Sequence, residues 1–135
     1  KMSKSDENTN AFITILDDKD TIVRKFKRAI TDSDMEIRYG EGKDGINNLL
    51  TIYSVVTGKT IAEAEAEFSG KGYGDFKLAV GEAVADHLKP VRERFAELRS
   101  DKGQLESFYH AGADKALYTS QKTLSKVYKK IGLIR

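Results

Sequence analysis

The chain has 135 residues, of which 39% are hydrophobic and 33% charged, a composition ordinary for a globular protein. Its 23 Lys+Arg against 21 Asp+Glu give a formal net charge of +2, so nucleic-acid binding must be argued from the distribution of charge. The absence of cysteine excludes disulfides and thiolate zinc sites, and no apolar run approaches the roughly 20 residues that cross a bilayer. These features predict a cytoplasmic protein with no membrane partner.

The first 44 residues predict an irregular arm with one short helix. Residues 1–10 are small and polar and indicate a loop, and the apolar run 11–16 is compatible with a brief extended segment. Asp20 and Thr21 offer a helix start. The helix that follows carries a basic cluster of Arg24, Lys25, Lys27 and Arg28. We interpret this cluster as a solvated helix face, with an RNA contact as the less favoured alternative.

The segment 31–43 has the composition of a loop and carries acidic residues at alternate positions, which are Asp32, Asp34 and Glu36. Their spacing is that of a calcium-binding loop, but Ile37 stands where such a loop needs glycine and Lys43 where it needs its last glutamate. His87 and His110 have no cysteine to complete a site. We therefore predict no metal site in this chain.

From Gly45 onwards the apolar residues recur with helical spacing. We predict helices at about residues 45–57, 60–68, 75–99 and 101–131. Gly58 and Gly132 are natural helix ends, Thr60 with Glu63 fits a capping box, and Pro90 is expected to kink the long third helix. The predicted fold is mostly α, a helical bundle of about four or five helices with an irregular N-terminal arm.

The last predicted helix has two chemically different faces. Its apolar face, with small residues that allow close approach, consists of Leu105, Phe108, Gly112, Ala116, Leu124, Val127 and Ile131. At about 100° per residue, one other face collects the basic stripe, namely Lys115, Tyr118, Lys122, Lys126, Lys129 and Lys130. Proteins bind RNA loops by neutralising phosphates and by stacking unpaired bases on aromatic rings, and this stripe supplies both. An RNA-binding face and an ordinary solvated face remain equally open.

The first five residues form what we call the signature loop, which consists of Lys1, Met2, Ser3, Lys4 and Ser5. Two ammonium groups three residues apart can converge on one polyphosphate, while the small residues let the backbone come close. A given five-residue string arises by chance on the order of once in a few million windows. The loop therefore indicates phosphate binding rather than a frayed basic terminus.

The signature loop as it stands resembles the signature of class I aminoacyl-tRNA synthetases. The sequence after it is similar to the corresponding stretch of bacterial tryptophanyl-tRNA synthetases at positions 6–8, 11–14, 17–18, 29–33, 37–39, 45–50, 52–53, 70–74, 76–77 and 90–94. The similarity thus runs along nearly the whole chain. The string at 70–76 favours the tryptophan-specific members over the tyrosine-specific ones.

The resemblance implies a two-step reaction in which ATP, carried with Mg²⁺, and tryptophan form an aminoacyl adenylate, and the amino acid then passes to tRNA(Trp). Carried over by position, Lys4 is the main cation on the leaving pyrophosphate and Lys1 is its partner. Met2, Ser3 and Ser5 complete the ATP-binding residues. The implied partners are tRNA(Trp), ATP and tryptophan, with no DNA, and the implied parent is a homodimer.

The resemblance also implies that this chain is the C-terminal part of a longer enzyme. In the family a doubly wound catalytic domain precedes the signature loop, and that domain is missing here. Residues 1–44 are then the loop and its connecting segment, and residues 45–135 are a helical anticodon-binding domain. We expect the fragment alone to be inactive. The alternative is a stand-alone, non-catalytic helical module that binds RNA or a protein.

Overall fold

The computed structural model describes residues 7–133. Within that range it contains five helices and no strand: α1 (Lys19–Lys27), α2 (Asp44–Thr57), α3 (Ile61–Glu67), α4 (Tyr73–Ser100) and α5 (Lys102–Lys130). The predicted mostly α class is therefore confirmed. α4 continues through Pro90, which lies within the helix. None of the helices described is long and apolar enough to span a membrane.

The helix ends follow the local sequence chemistry. Asp18 caps α1, because its Oδ1 accepts a hydrogen bond from the Thr21 N–H at 2.7 Å. The predicted capping box of Thr60 and Glu63 is present at the start of α3. α2 ends at Gly58, whose φ of 74° lies in the left-handed region that glycine adopts without strain. These short-range features fix where three of the helices begin or end.

The chain divides into two compact units between Arg92 and Glu93. The core of the first unit draws on α1 to α4 and on the loop 31–43, and its buried residues are Ile22, Phe26, Ile37, Ile46, Leu49, Leu50, Tyr53, Ala64, Phe68, Phe76, Val80, Val84 and Ala85. The fully buried Phe76 ring lies with its centroid 4.9 Å from that of Phe68 and 6.3 Å from that of Tyr53. The domain boundary that we predict between residues 44 and 45 stays a prediction.

The second unit contains α5, and no residue of this helix is buried. The apolar face predicted for it remains open, since Leu124 is 41% and Val127 44% exposed. The close approach that its small residues allow therefore buries none of its members within the described residues. Amphipathic spacing indicates that a face prefers to be covered, but a unit of this size has too little material to enclose it.

α1 and α4 approach each other closely at Gly81. A Cβ at this position would lie 2.9 Å from the Val23 Cα, which is shorter than the distance at which Cβ atoms pack. The backbone of α1 thus occupies the space that a side chain would fill. This contact requires glycine at residue 81 for steric reasons.

The loop 31–43 is held by the buried side chain of Lys43, which is only 4% exposed. Its Nζ lies 2.7 Å from the Asp34 Oδ2 and 3.4 Å from the Asp32 Oδ1, and it donates to the Glu36 carbonyl oxygen at 2.9 Å. It also donates to the Tyr73 hydroxyl at 3.2 Å, while that hydroxyl donates to Asp32 at 2.6 Å. One ammonium group therefore connects the loop to the start of α4.

This arrangement shifts the pKa values of its members. Burial alone would lower the pKa of Lys43, but the hydrogen bonds to Asp34 and Tyr73 and the charge of Asp32 outweigh burial and hold that pKa above its ordinary value. The hydrogen bond from Tyr73 is the main cause that holds the pKa of Asp32 below its ordinary value. Asp32 and Lys43 thus stay ionised together at neutral pH.

Replacing Gly81 by alanine is expected to destabilise the first unit by about 1–3 kcal/mol, the usual cost of overpacking a close contact. The measurement is the free energy of unfolding, from urea titrations followed by circular dichroism. Gly74→Ala is the matched control, because it lies in the same helix and an added Cβ there meets nothing within 4 Å. An equal loss in both variants would contradict the steric explanation.

Replacing Lys43 by methionine is expected to lower the urea midpoint clearly at pH 7, because two carboxylates would lose their buried counter-charge. The ordinary pKa of Asp32 is 3.8, so its contribution is complete above that pH and is lost as the pH falls through its lowered pKa. The contribution of Lys43, whose pKa is raised, is complete below pH 10.5. The difference between variant and wild type should therefore shrink on acidification below about pH 4.

Arg38→Met is the control for this measurement. Arg38 pairs with Glu36 in the same loop, but their side chains are 53% and 62% exposed, so solvent screens the pair. Its urea midpoint should stay near that of the wild type throughout. A difference for Lys43→Met that does not depend on pH would show that packing, rather than charge, explains the loss.

Candidate functional site

The signature loop, formed by Lys1, Met2, Ser3, Lys4 and Ser5, lies outside the described residues. The segment that follows it is described. A turn joins Asn8 to Ala11, whose N–H donates to the Asn8 carbonyl oxygen at 2.9 Å. Residues 11–16 form no strand, and a turn occupies residues 15 and 16. Residues 12–14 have no regular secondary structure, so the brief extended segment with which this apolar run is compatible stays a prediction.

Residues 12–17 are held against α1 by Lys25. The Lys25 Nζ donates to the Phe12 carbonyl oxygen at 3.0 Å and lies 2.5 Å from the Asp17 Oδ2. The same ammonium group lies 5.4 Å from the centroid of the Phe12 ring. Asp17 also accepts hydrogen bonds from the Thr14 N–H at 3.1 Å and from the Thr14 hydroxyl at 2.6 Å. One lysine thereby fastens both ends of this segment.

The pair of Lys25 and Asp17 is largely removed from solvent, with 9% and 15% of the side chains exposed. Burial alone would raise the pKa of Asp17, but the hydrogen bonds from Lys25 and Thr14 outweigh it and hold that pKa below its ordinary value. The carboxylate therefore remains charged at neutral pH. Lys25 is paired with Asp17 inside the protein, so its charge is not available to a nucleic acid.

The basic cluster predicted on α1 is accordingly divided. The interpretation as a solvated face is wrong for Lys25, which turns towards residues 12–17 because an acceptor and a carboxylate lie there. Arg24 is exposed and its Nη2 donates to the Thr21 hydroxyl at 3.2 Å, while Lys27 and Arg28 are exposed. The cluster thus loses one of its cations as a possible RNA contact.

The basic stripe lies on α5 as predicted from its spacing, and all its members are exposed: Lys115, Tyr118, Lys122, Lys126, Lys129 and Lys130. Tyr118 has 71% of its surface exposed, so its ring is open to a stacking partner. Within residues 7–133, no ion pair joins a lysine of the stripe to an acidic residue. The stripe therefore presents uncompensated positive charge along one helix.

Sequence reasoning does not identify three lysines that organise the first unit, namely Lys25, Lys43 and Lys77. The Lys77 Nζ donates to the Ala29 carbonyl oxygen at 2.8 Å, just after α1. Lysine is mostly exposed in proteins, so its position on a helix gives no sign of such a role. The available signal was indirect, because acidic residues grouped in an irregular segment, such as Asp32 and Asp34, need a cation when they pack against a core.

Comparisons with known proteins bear on the signature loop and on the fold. The profile of the family described as tRNA synthetases class I (W and Y) matches residues 1–89. The chain is 48% identical over 134 residues to the Tryptophan--tRNA ligase of Wolinella succinogenes, and 49% identical over 137 residues to that of Listeria monocytogenes. These alignments cover 99% and 100% of this chain but 41% of each relative, so the chain spans about two fifths of their length.

The fold has a counterpart among solved structures. The crystal structure of tryptophanyl-tRNA synthetase from Mycoplasma pneumoniae matches with a TM-score of 0.72 and 31% sequence identity, over 100% of this chain and 43% of that one. The sequence matches and the structural match thus both cover essentially the whole of this chain and about two fifths of each relative. The chain belongs to the class I tRNA synthetases of the tryptophan and tyrosine group.

Proposed function

We propose that this chain is the C-terminal part of a cytoplasmic tryptophan-tRNA ligase, which activates tryptophan with ATP and transfers it to tRNA(Trp). The observation that carries the proposal is the signature loop at the head of a chain nearly half identical to proteins of that name. Residues 1–44 supply the ATP-phosphate-binding loop and its connecting segment, and residues 45–135 supply the tRNA-binding helices. The tryptophan and adenine pockets belong to the part of the homodimeric parent that this chain does not span.

The signature loop acts on the leaving pyrophosphate. Negative charge grows on that group as the adenylate forms, so cations placed beside it stabilise the transition state more than bound ATP. Lys4 supplies the main positive charge and Lys1 the second. Ser3 and Ser5 donate hydroxyl or backbone hydrogen bonds to the phosphate oxygens, and Met2 spaces the two lysines.

Mg²⁺ enters as part of the substrate, bound to the ATP phosphates, and shares their negative charge. The signature loop contains no acidic side chain that would ligate a cation. Across residues 7–133, no group of three or more His, Cys, Asp or Glu side chains is placed to hold a metal. In this proposal the chain contributes the cationic side chains of the loop, which add to the magnesium charge on the phosphates.

The basic stripe of α5 is the proposed tRNA contact. Its lysines neutralise phosphates of the anticodon arm, and the Tyr118 ring stacks on an unpaired base. The exposure of all six side chains and the absence of acidic partners within the described part of α5 support this assignment. Contacts of this type give a binding constant that falls as salt rises.

In the intact synthetase, Lys4→Ala is expected to slow adenylate formation on the order of 10²–10³-fold, as for other groups that stabilise developing charge. Tryptophan binding should be unchanged, because the amino acid does not contact the pyrophosphate. The measurements are pyrophosphate exchange and the equilibrium dissociation constant of tryptophan. The control is Lys19→Ala, which removes only an exposed pair with Asp86. Equal loss of both functions in Lys4→Ala would remove the loop from the phosphate chemistry.

The double charge reversal Lys122→Glu with Lys126→Glu is expected to raise the KM for tRNA(Trp) by tenfold or more and to flatten its dependence on salt. For each phosphate that a lysine no longer neutralises, the slope against the logarithm of salt concentration should fall by about one. Lys102→Glu is the control, because this lysine lies on the opposite side of α5 at about 100° per residue. A normal KM in the double variant would leave the stripe as an ordinary solvated face.

A further inference from the structure

The segment that leads from the signature loop into α1 is fixed more firmly than packing alone requires. An ammonium group loses hydration when it is buried, so an apolar side chain would fill the place of Lys25 at lower cost. Lys25 instead binds two points of the chain, the Phe12 carbonyl oxygen and the Asp17 carboxylate. Contacts of this kind fix a backbone position, which apolar contact does less well because it has no direction.

The position that is fixed lies close to the signature loop along the chain. Phe12 follows Ser5 by seven residues, a span of at most about 25 Å when fully extended. Lys25 is itself on α1, and α1 packs on the core through Ile22 and Phe26. The contact therefore holds residue 12 at a fixed position relative to the core. The signature loop precedes this residue in the chain.

We propose that Lys25 is a positioning residue for the signature loop, because it sets the point from which Lys1 and Lys4 reach the ATP phosphates. This inference rests on the proposed function. Cations stabilise a transition state only when they are held at the right distance, and a displacement of about 1 Å can cost on the order of a hundredfold in rate. Asp17 and Thr14 support this role. Asp17 binds the Lys25 ammonium group, and the Thr14 hydroxyl donates to Asp17.

The test compares variants of the intact synthetase in pyrophosphate exchange. Lys25→Met keeps most of the length of the side chain and removes its charge. It should lower the exchange kcat on the order of tenfold or more and raise the KM for ATP. The KM for tryptophan should not change, because the loop acts on the phosphates. Lys25→Arg can still donate to both acceptors and should restore most of the rate.

The control for a purely structural effect is Lys77→Met. Lys77 also donates a hydrogen bond to a backbone carbonyl oxygen of the first unit, that of Ala29, but at the other end of α1. The loss of this hydrogen bond should reduce the stability of the protein. It should not produce the combination of a lower kcat, a raised KM for ATP and an unchanged KM for tryptophan. If Lys77→Met produced the same kinetic change as Lys25→Met, general destabilisation would explain both and the positioning role would be overturned.

Thr14→Val keeps the test informative if Lys25→Met does not fold. It removes only the hydroxyl that donates to Asp17 and leaves the Thr14 N–H bond intact. A loss of kcat in the same direction, smaller than that expected for Lys25→Met, supports the proposal, and an unchanged kcat in Thr14→Val overturns it. Lys4→Ala separates the two proposals. If it is impaired while Lys25→Met is normal, only the positioning role fails, whereas a normal Lys4→Ala removes the proposed function as well.

Discussion

The irregular segments of the first unit depend on buried or partly buried ammonium groups that bind backbone carbonyl oxygens. Lys25, Lys43 and Lys77 each donate to a carbonyl outside the helices, at distances between 2.8 and 3.0 Å. A carbonyl oxygen that is packed against a core needs a partner, and the described residues offer no strand ladder to provide one. Lysine suits this task because three donors at the end of a flexible stem can reach several acceptors.

These contacts join two kinds of structure that form for different reasons. The helices bury apolar side chains around Phe76, and that burial is the main source of stability. The segments 12–17 and 31–43 contribute less to the core than the helices do, since they provide only the buried Ile37 and the partly buried Ile13. They are ordered by directional contacts from helices that are already fixed. Removing one such lysine should therefore disturb a segment while the helical core remains folded.

The sequence predicts the helices well because their signals are local. The capping box of Thr60 and Glu63 and the glycine at 58 lie within a few residues of the ends that they define. The buried lysines are not predictable in this way, because their acceptors lie between 7 and 48 residues away along the chain. The exposure of Leu124 and Val127 also escapes prediction, since helical spacing does not show whether a partner is present. For the candidate site, the resemblance of residues 1–5 is the source of the proposed phosphate chemistry, and the contacts of Lys25 with Phe12 and Asp17 are the source of its proposed positioning role.

The two parts of the proposed function place different demands on the fold. Charge that stabilises a transition state must be held at a defined distance, so the residues that lead to the signature loop gain from a fixed attachment such as the contact of Lys25 with Phe12. Charge that neutralises tRNA phosphates acts mainly through release of counterions, which tolerates variation in side-chain position. A helix such as α5, with exposed lysines such as Lys122 and no buried residue, meets this second demand. In the proposed function the chain would thus use lysine in two opposite ways, buried and paired where position matters, and exposed and unpaired where total charge is sufficient.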